Sequence, residues 1–462
     1  MVEIEIENPA TGEVLGTVLD GGPQAIDAAV QLAKKAFETG SWRGKTPGER
    51  EAILWRAAEL IDREKEDLAL LSTLEAGKPV RDARSGDVDG AADAFRFYAG
   101  ACRRWGGRTV PVEGPYLNHT VREPLGVVGA IVPWNYPLCL AAWKIAPALA
   151  AGCSVVLKPS EFTPFGAIKL TEILHRAGVP QEAVQTVTGY GHTTGDALAR
   201  HEDVAKIAFT GSAATARRIQ IASAESNLKP VSMELGGKSA NIIFADANLP
   251  AAVRGALWGV FLNQGQVCTA GSRVLVEAAV YEEFVALLVN RARQLRLGDP
   301  RDPNVDLGPL ISAKQKQKVL GMATEAVRQG AKPLLLHEHA LPECGHFVAP
   351  AILGDVDPQS SLAQQEVFGP VLALMKFDKE EQAIALANAT PYGLAAGVWT
   401  ENLRRAQRMA EALRAGVIWI NCYNHFDTAS PFGGVKLSGT GRDLGEEALL
   451  EYTSVKSIWS AR

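Results

Sequence analysis

Positive charge is not in excess: Lys and Arg number 47 against 52 Asp and Glu, a formal net charge of −5. That balance excludes a chain whose main business is a phosphate backbone or an anionic membrane surface. Cysteine is sparse, with six in 462 residues and no C-x-x-C spacing, which excludes a disulfide framework and a zinc ribbon and fits a reducing, cytoplasmic setting. The N-terminus, MVEIEIENPATGEV, has neither the basic start nor the apolar core of a signal peptide. The one long uncharged run, residues 124–143, is interrupted by Pro133, Asn135, Tyr136 and Pro137, so it reads as strand, turn and buried helix instead of a membrane span.

What is present is ordinary globular material, 47% hydrophobic and 21% charged. At about 150 residues per domain, the length suggests about three domains. Apolar residues recur at helical spacing over 25–37, 49–74 and 88–101. Short β-type runs at 108–112 and 116–122, around Glu113-Gly114-Pro115, read as a hairpin arm suited to contacts between subunits.

Strands apolar on both faces then alternate with helices: strands at 126–132, 154–157, 184–188, 205–209 and 231–235, with helices at 137–150, 164–177 and from Ser212. A second block has strands near 240–244, 272–276, 371–377, 396–399 and 416–420. This rhythm predicts two doubly wound α/β units with parallel sheets.

Several constellations could carry chemistry. Phe209-Thr210-Gly211-Ser212 puts glycine and backbone N–H groups between a strand and a helix, where a pyrophosphate can be held. Gly189-Tyr190-Gly191-His192-Thr193-Thr194-Gly195 also follows a strand, but with one residue too many for the dinucleotide fingerprint it reads as a tight turn. Glu161, in Lys158-Pro159-Ser160-Glu161, is an acid placed to reach ribose hydroxyls, or simply a solvated strand end.

Cys268 lies among small and polar residues in Asn263-Gln264-Gly265-Gln266-Val267-Cys268-Thr269, a setting for a reachable thiolate as well as for a small buried hydrophobe. Glu234 ends an apolar strand, where burial would raise it toward a general base. Asn135 offers a neutral amide to an oxyanion. Glu234 and Asn135 are equally consistent with an exposed strand end and a turn asparagine. His337-Glu338-His339, Cys344 and His346 raise a metal site, but with no helix to set ligand spacing a solvated loop is the better reading, and no metal is expected.

In their order and spacing these motifs resemble the aldehyde dehydrogenase superfamily, in its NAD(P)-dependent hydrolytic branch. The resemblance is carried by Pro133-Trp134-Asn135-Tyr136-Pro137, Leu157-Lys158-Pro159-Ser160-Glu161, Phe209-Thr210-Gly211-Ser212, Glu234-Leu235-Gly236-Gly237-Lys238, Gly265-Gln266-Val267-Cys268, Glu366-Val367-Phe368-Gly369-Pro370 and Pro431-Phe432-Gly433-Gly434.

It implies a Rossmann-like cofactor lobe at 1–104 and 125–236, a catalytic lobe at 237–436, and an oligomerisation arm with C-terminal segment at 105–124 and 437–462. It also implies homodimers or homotetramers joined through the hairpin and the strand at 451–459. Cys268 would attack the aldehyde, Asn135 and the Cys268 N–H would hold the oxyanion, and Glu234 would activate the water that hydrolyses the thioester.

NAD, with NADP possible, would be held by Val132, Pro133, Trp134, Lys158, Ser160, Glu161, Gly191, Phe209, Thr210, Gly211, Ser212, Thr215, Leu235, Gly236, Gln315, Glu366 and Phe368. Tyr136, Leu140, Trp143, Leu262, Val267, Thr269, Phe426 and Phe432 would line an aldehyde tunnel suited to apolar aliphatic or aromatic substrates. A betaine aldehyde or aminoaldehyde is the alternative, held against Tyr136, Trp143 and Phe432 by cation–π attraction, which Leu262 weakens. A cysteine-dependent ester or amide hydrolase is the rival from another class.

Two departures stand out. Ala216 replaces the last glycine of the family's cofactor turn, and the short strands common before the Asn8-Pro9-Ala10-Thr11-Gly12-Glu13 segment are expected to be missing.

Overall fold

The computed structural model describes residues 2–462. The alternation of acids and isoleucines at the N-terminus does form a strand, contrary to the expectation above. β1 (Glu3–Glu7) buries Ile4 and Ile6 and pairs antiparallel with β2 (Val14–Leu19), because a period of two gives this short segment one apolar face. Helices Gly22–Thr39, Pro47–Arg63, Lys65–Ala76 and Asp89–Ala101 follow. The pattern over 49–74 is therefore two helices, broken at Glu64 (φ −102, ψ 18), whose carboxylate faces Lys169 at 3.6 Å. A single π-helical turn, Ala83–Val88, leads into the fourth helix.

After the arm strands β3 (Thr109–Val110) and β4 (Tyr116–Pro124) come the parallel strands β5 (Val127–Ile131), β6 (Ser154–Lys158), β7 (Val184–Thr186), β8 (Val204–Gly211) and β9 (Val231–Leu235). Their spatial order, β9-β8-β5-β6-β7, reverses direction between β5 and β8. In doubly wound sheets a ligand crevice opens at such a switch point, beyond the carboxyl ends of the strands. Val128, Ala130, Val155 and Leu157 enter the core on one face, and Val127, Ile131, Val156 and Ile207 the core on the other. This two-sided burial is why the strands read as continuous apolar runs.

The second sheet contains β10 (Ala240–Ile243), β11 (Arg273–Glu277), β12 (Lys332–Leu335), β13 (Ala351–Gly354), β14 (Val371–Phe377), β15 (Ala395–Trp399) and β16 (Val417–Ile420) in the order β12-β13-β14-β11-β10-β15-β16. Only β12 runs antiparallel to its neighbour. The chain then returns to the first sheet, where β17 (Gly439–Thr440) pairs with β9 and sets Gly439 opposite Glu234. Ala448, Leu449 and Tyr452 complete the first lobe's core. Finally β18 (Thr453–Ala461) pairs along the whole of β4 within the same chain, making a three-stranded arm β18-β4-β3.

Candidate active site

The loop after the Leu249–Phe261 helix is held in a costly shape. Asn263 (φ 47), Gln264 (φ 55) and Gly265 (φ 72) are left-handed in succession. A Cβ at Gly265 would overlap the Gly369 carbonyl, so only glycine fits there. Buried hydrogen bonds sustain the turn. Asn263 Nδ2 donates to the carbonyls of Asn135 (3.3 Å) and Gln266 (3.1 Å), and Gln266 Oε1 accepts from the Ile311 N–H at 3.0 Å. Thr269, just beyond Cys268, donates its hydroxyl to Asn424 Oδ1 at 2.8 Å, and Tyr423 donates to the Thr269 carbonyl at 2.9 Å. Cys268 itself is partly exposed, one of six free thiols. Burial, with the Glu366 and Glu234 carboxylates adding to it, pushes its thiol up to about 12.

Asn135, in the loop between β5 and the Pro137–Ala151 helix, donates its Nδ2 to the same Gln266 carbonyl at 3.1 Å, which fixes its amide beside the cysteine loop. Glu234 is only 4% exposed, and neither carboxylate oxygen has a hydrogen-bond partner. Burial first, and then Asp443, hold it well above the ordinary carboxylate range, with Lys144 and Arg442 opposing. Lys144 and Asp443 form a buried, hydrogen-bonded ion pair.

Two cavities converge on this group. A cleft of about 210 Å³ lies at the β5/β8 switch point and is lined by Pro133, Trp134, Thr210, Gly211, Ser212, Leu235, Gly236, Gln315, Glu366 and Phe368. A wider cavity of about 610 Å³ is lined by all eight expected tunnel residues, from Tyr136 to Phe432. Asn135, Leu140 and Cys268 line both, so the two meet at the thiol.

The cleft suits a dinucleotide. Ser212 caps the Ala213–Ala224 helix through the Thr215 N–H, presenting a helix N-terminus to the cleft. A Cβ on Gly236 would overlap the Glu366 carboxylate, which accepts the Gly237 N–H at 3.2 Å and is pushed up to about 7 by burial. Gln315 Nε2 donates to the Phe368 carbonyl at 2.7 Å and supports that residue at φ 57, while Trp134 meets the Phe368 ring edge-on at 5.3 Å.

Other expected cofactor residues lie outside the cleft lining. Lys158, at the end of β6, faces Glu161 at 3.4 Å, and its carbonyl accepts the Val132 N–H. Phe209 is buried within β8, and Ser160 Oγ accepts the Phe162 N–H. Gly191 opens a turn whose Thr193 and Thr194 hydroxyls, with the Tyr190 N–H, bind the chain's own Asp20 carboxylate. Ala216 is buried in the helix against the sheet.

Sequence reading missed Lys318 in the cleft, and Gly86, Gly90, Asp93, Trp258 and Asn424 in the wider cavity. The spacing of 86, 90 and 93 marks one helical face, and Trp258 stands one turn before Leu262; both signals were available. In the histidine-rich stretch, His346 pairs with Glu7 at 2.7 Å and Glu338 with Arg293. Among the described residues no three potential metal ligands cluster and no helix is long and apolar enough to cross a membrane.

Comparison with known proteins agrees with this geometry. The sequence model of the aldehyde dehydrogenase family matches residues 2–458. Mitochondrial aldehyde dehydrogenase of Sus scrofa is 45% identical over 98% of this chain and 87% of that protein. Human retinal dehydrogenase 2 is also 45% identical, over 98% of this chain and 88% of its own. The crystal structure of P. syringae AldA indole-3-acetaldehyde dehydrogenase, a cysteine-to-alanine mutant in complex with NAD+ and IAA, superposes with a TM-score of 0.98 at 42% identity, covering 100% of this chain and 93% of that one. With the fold, the paired cavities and the family match in agreement, this chain belongs to the aldehyde dehydrogenase family.

Proposed function

We propose that this protein oxidises an apolar aliphatic or aromatic aldehyde to its carboxylic acid with NAD+ as oxidant. The observation that carries the reading is the meeting of the cleft and the wider cavity at Cys268 and Asn135.

Cys268 attacks the carbonyl carbon as the thiolate, its S–H proton having passed to solvent, and the oxygen that gains the electron pair is stabilised by the Asn135 amide and the Cys268 N–H. Ser212, Gly236, Glu366 and Phe368 would hold the dinucleotide, which would supply the acceptor for the hydride that leaves the thiohemiacetal's C–H bond as the thioester forms. Glu234, buried and unpartnered, then takes a proton from the water that attacks the thioester, and the acid leaves as the thiol re-forms. Of the cations and acids that face Glu234, Lys144 and Arg442 favour its ionised form, and Asp443 and, more weakly, Glu451 oppose it.

Substrate class follows from the tunnel. Trp143 and Phe432 pack at 5.5 Å and Phe426 and Phe432 at 5.6 Å, an aromatic wall for an apolar tail. A cationic head group fits less well, because the Lys78 ammonium already lies 3.8 Å from the Tyr136 ring centre. The relatives named for retinal and for indole-3-acetaldehyde point the same way. We place the enzyme in the cytoplasm, where six free thiols persist, and assign self-association to the β18 arm.

Formation of NADH with a panel of aldehydes tests the reading; ester cleavage without any reduction of NAD+ would instead mark a cysteine hydrolase. Cys268→Ala is expected to bind NAD+ without turnover, and Glu234→Gln to accumulate the acyl-enzyme seen by intact mass. Normal turnover in either variant removes the role assigned to that residue.

A further inference from the structure

The Pro137–Ala151 helix carries much of the site: Leu140 and Trp143 face the tunnel, Lys144 pairs with Asp443, and Asn135 stands two residues before its first turn. Its own N-cap residue, Tyr136, makes no side-chain cap. The free N–H groups are satisfied from elsewhere. Asp87 Oδ1 accepts from Leu138 N–H at 3.1 Å and from Cys139 N–H at 2.8 Å. Asp87 is fully buried, sits in the π-helical turn Ala83–Val88, and is gripped on its second oxygen by the Ser72 hydroxyl at 2.6 Å. The buried Lys78 ammonium lies 3.6 Å from the same oxygen and against the Tyr136 ring. A carboxylate at a helix N-terminus is favoured by the unpaired N–H groups and the helix dipole, and more strongly in a dry interior than in water.

The geometry points to Asp87 as a positioning residue for the oxidation: by capping this helix from another element it holds the Asn135 amide in register with Cys268. Nothing of Asp87 reaches the substrate. The neighbouring Gly86 lines the tunnel at close quarters: a Cβ there would come within 3.2 Å of the Tyr136 ring, which would have to give by a few tenths of an ångström. The π-turn therefore delivers a tunnel wall and a helix cap with adjacent residues, which ties the width of the tunnel to the placement of the oxyanion donor.

The inference rests on the oxyanion role proposed for Asn135, and a double-mutant cycle separates the two. Asp87→Asn keeps the side chain's shape but removes the charge and leaves Lys78 without its counter-ion. It is expected to lower kcat on the order of tenfold while the Kd for NAD+ stays unchanged. In an Asn135→Ala background the same change is expected to alter kcat by less than about twofold, because the group it positions is gone.

An equal loss in both backgrounds, or no loss in the first, overturns the positioning role. Undiminished kcat in Asn135→Ala alone removes the oxyanion assignment instead. Should Asp87→Asn fail to fold, Ser72→Ala loosens the same carboxylate while keeping its charge. A smaller loss of kcat that vanishes with Asn135→Ala supports the role, and no loss overturns it.

Discussion

A thiol pushed up to about 12 holds little thiolate at neutral pH, so Cys268 needs its proton removed before it can attack. Its alkylation by iodoacetamide is expected to be slow at neutral pH and to climb about tenfold per pH unit through the alkaline range. A plateau reached by neutral pH would show a thiolate already formed. The neighbours of Cys268, Glu234 and Asn135 along the chain left a structural reading open for each, and only the order and spacing of the family's motifs singled them out as candidates. Lys318 and Asn424 were not singled out: Asn424 reaches the site through a hydrogen bond to Thr269 across 155 positions of sequence, and no local pattern reports such a contact.

At the scale of the element, the first lobe caps helices from a distance. Glu75 accepts the N–H groups of Phe165 and Gly166 at the start of the Pro164–Ala177 helix, whose N-cap Thr163 supplies no side-chain bond. Burial pushes the Glu75 carboxyl up to about 8 from an ordinary 4.5. Between those values the folded chain keeps a proton that the unfolded chain has lost. Stability therefore falls as pH rises from about 4.5, and the loss is complete above about 8.

Glu75→Gln removes that dependence, so its Tm relative to the parent is expected to rise across this interval and level off above it. A constant difference across the interval would mean that the carboxyl is not held up. Long two-sided strands such as β5 and β8 were readable as apolar runs. β12 and β13 were not, being four residues each and carrying Lys332, Pro333 and Gly354. The break at Glu64 was equally silent, because helical periodicity continues on both sides of it.

On the scale of the whole molecule, the arm is a three-stranded sheet of its own. The hairpin and the C-terminal strand join each other within one chain, leaving the other edge of β18 open and Val455 and Trp459 more than half exposed. An open edge with apolar residues is a ready contact for a second copy. Val455→Lys with Trp459→Lys is expected to yield a smaller assembly by light scattering, and an unchanged mass would place the contact elsewhere.

The sequence by itself determined the α/β rhythm and the two units, because burial on both faces and tight turns are written in neighbouring residues, while its motifs carried the family resemblance. Only the tertiary structure decided that residues 439–452 return to complete the first lobe, that the cleft and the tunnel meet at one thiol, and that Asp87 and Glu75 cap helices far along the chain. Those contacts join positions whose separation no periodicity encodes, and they exist only once the two sheets and the helices between them have packed.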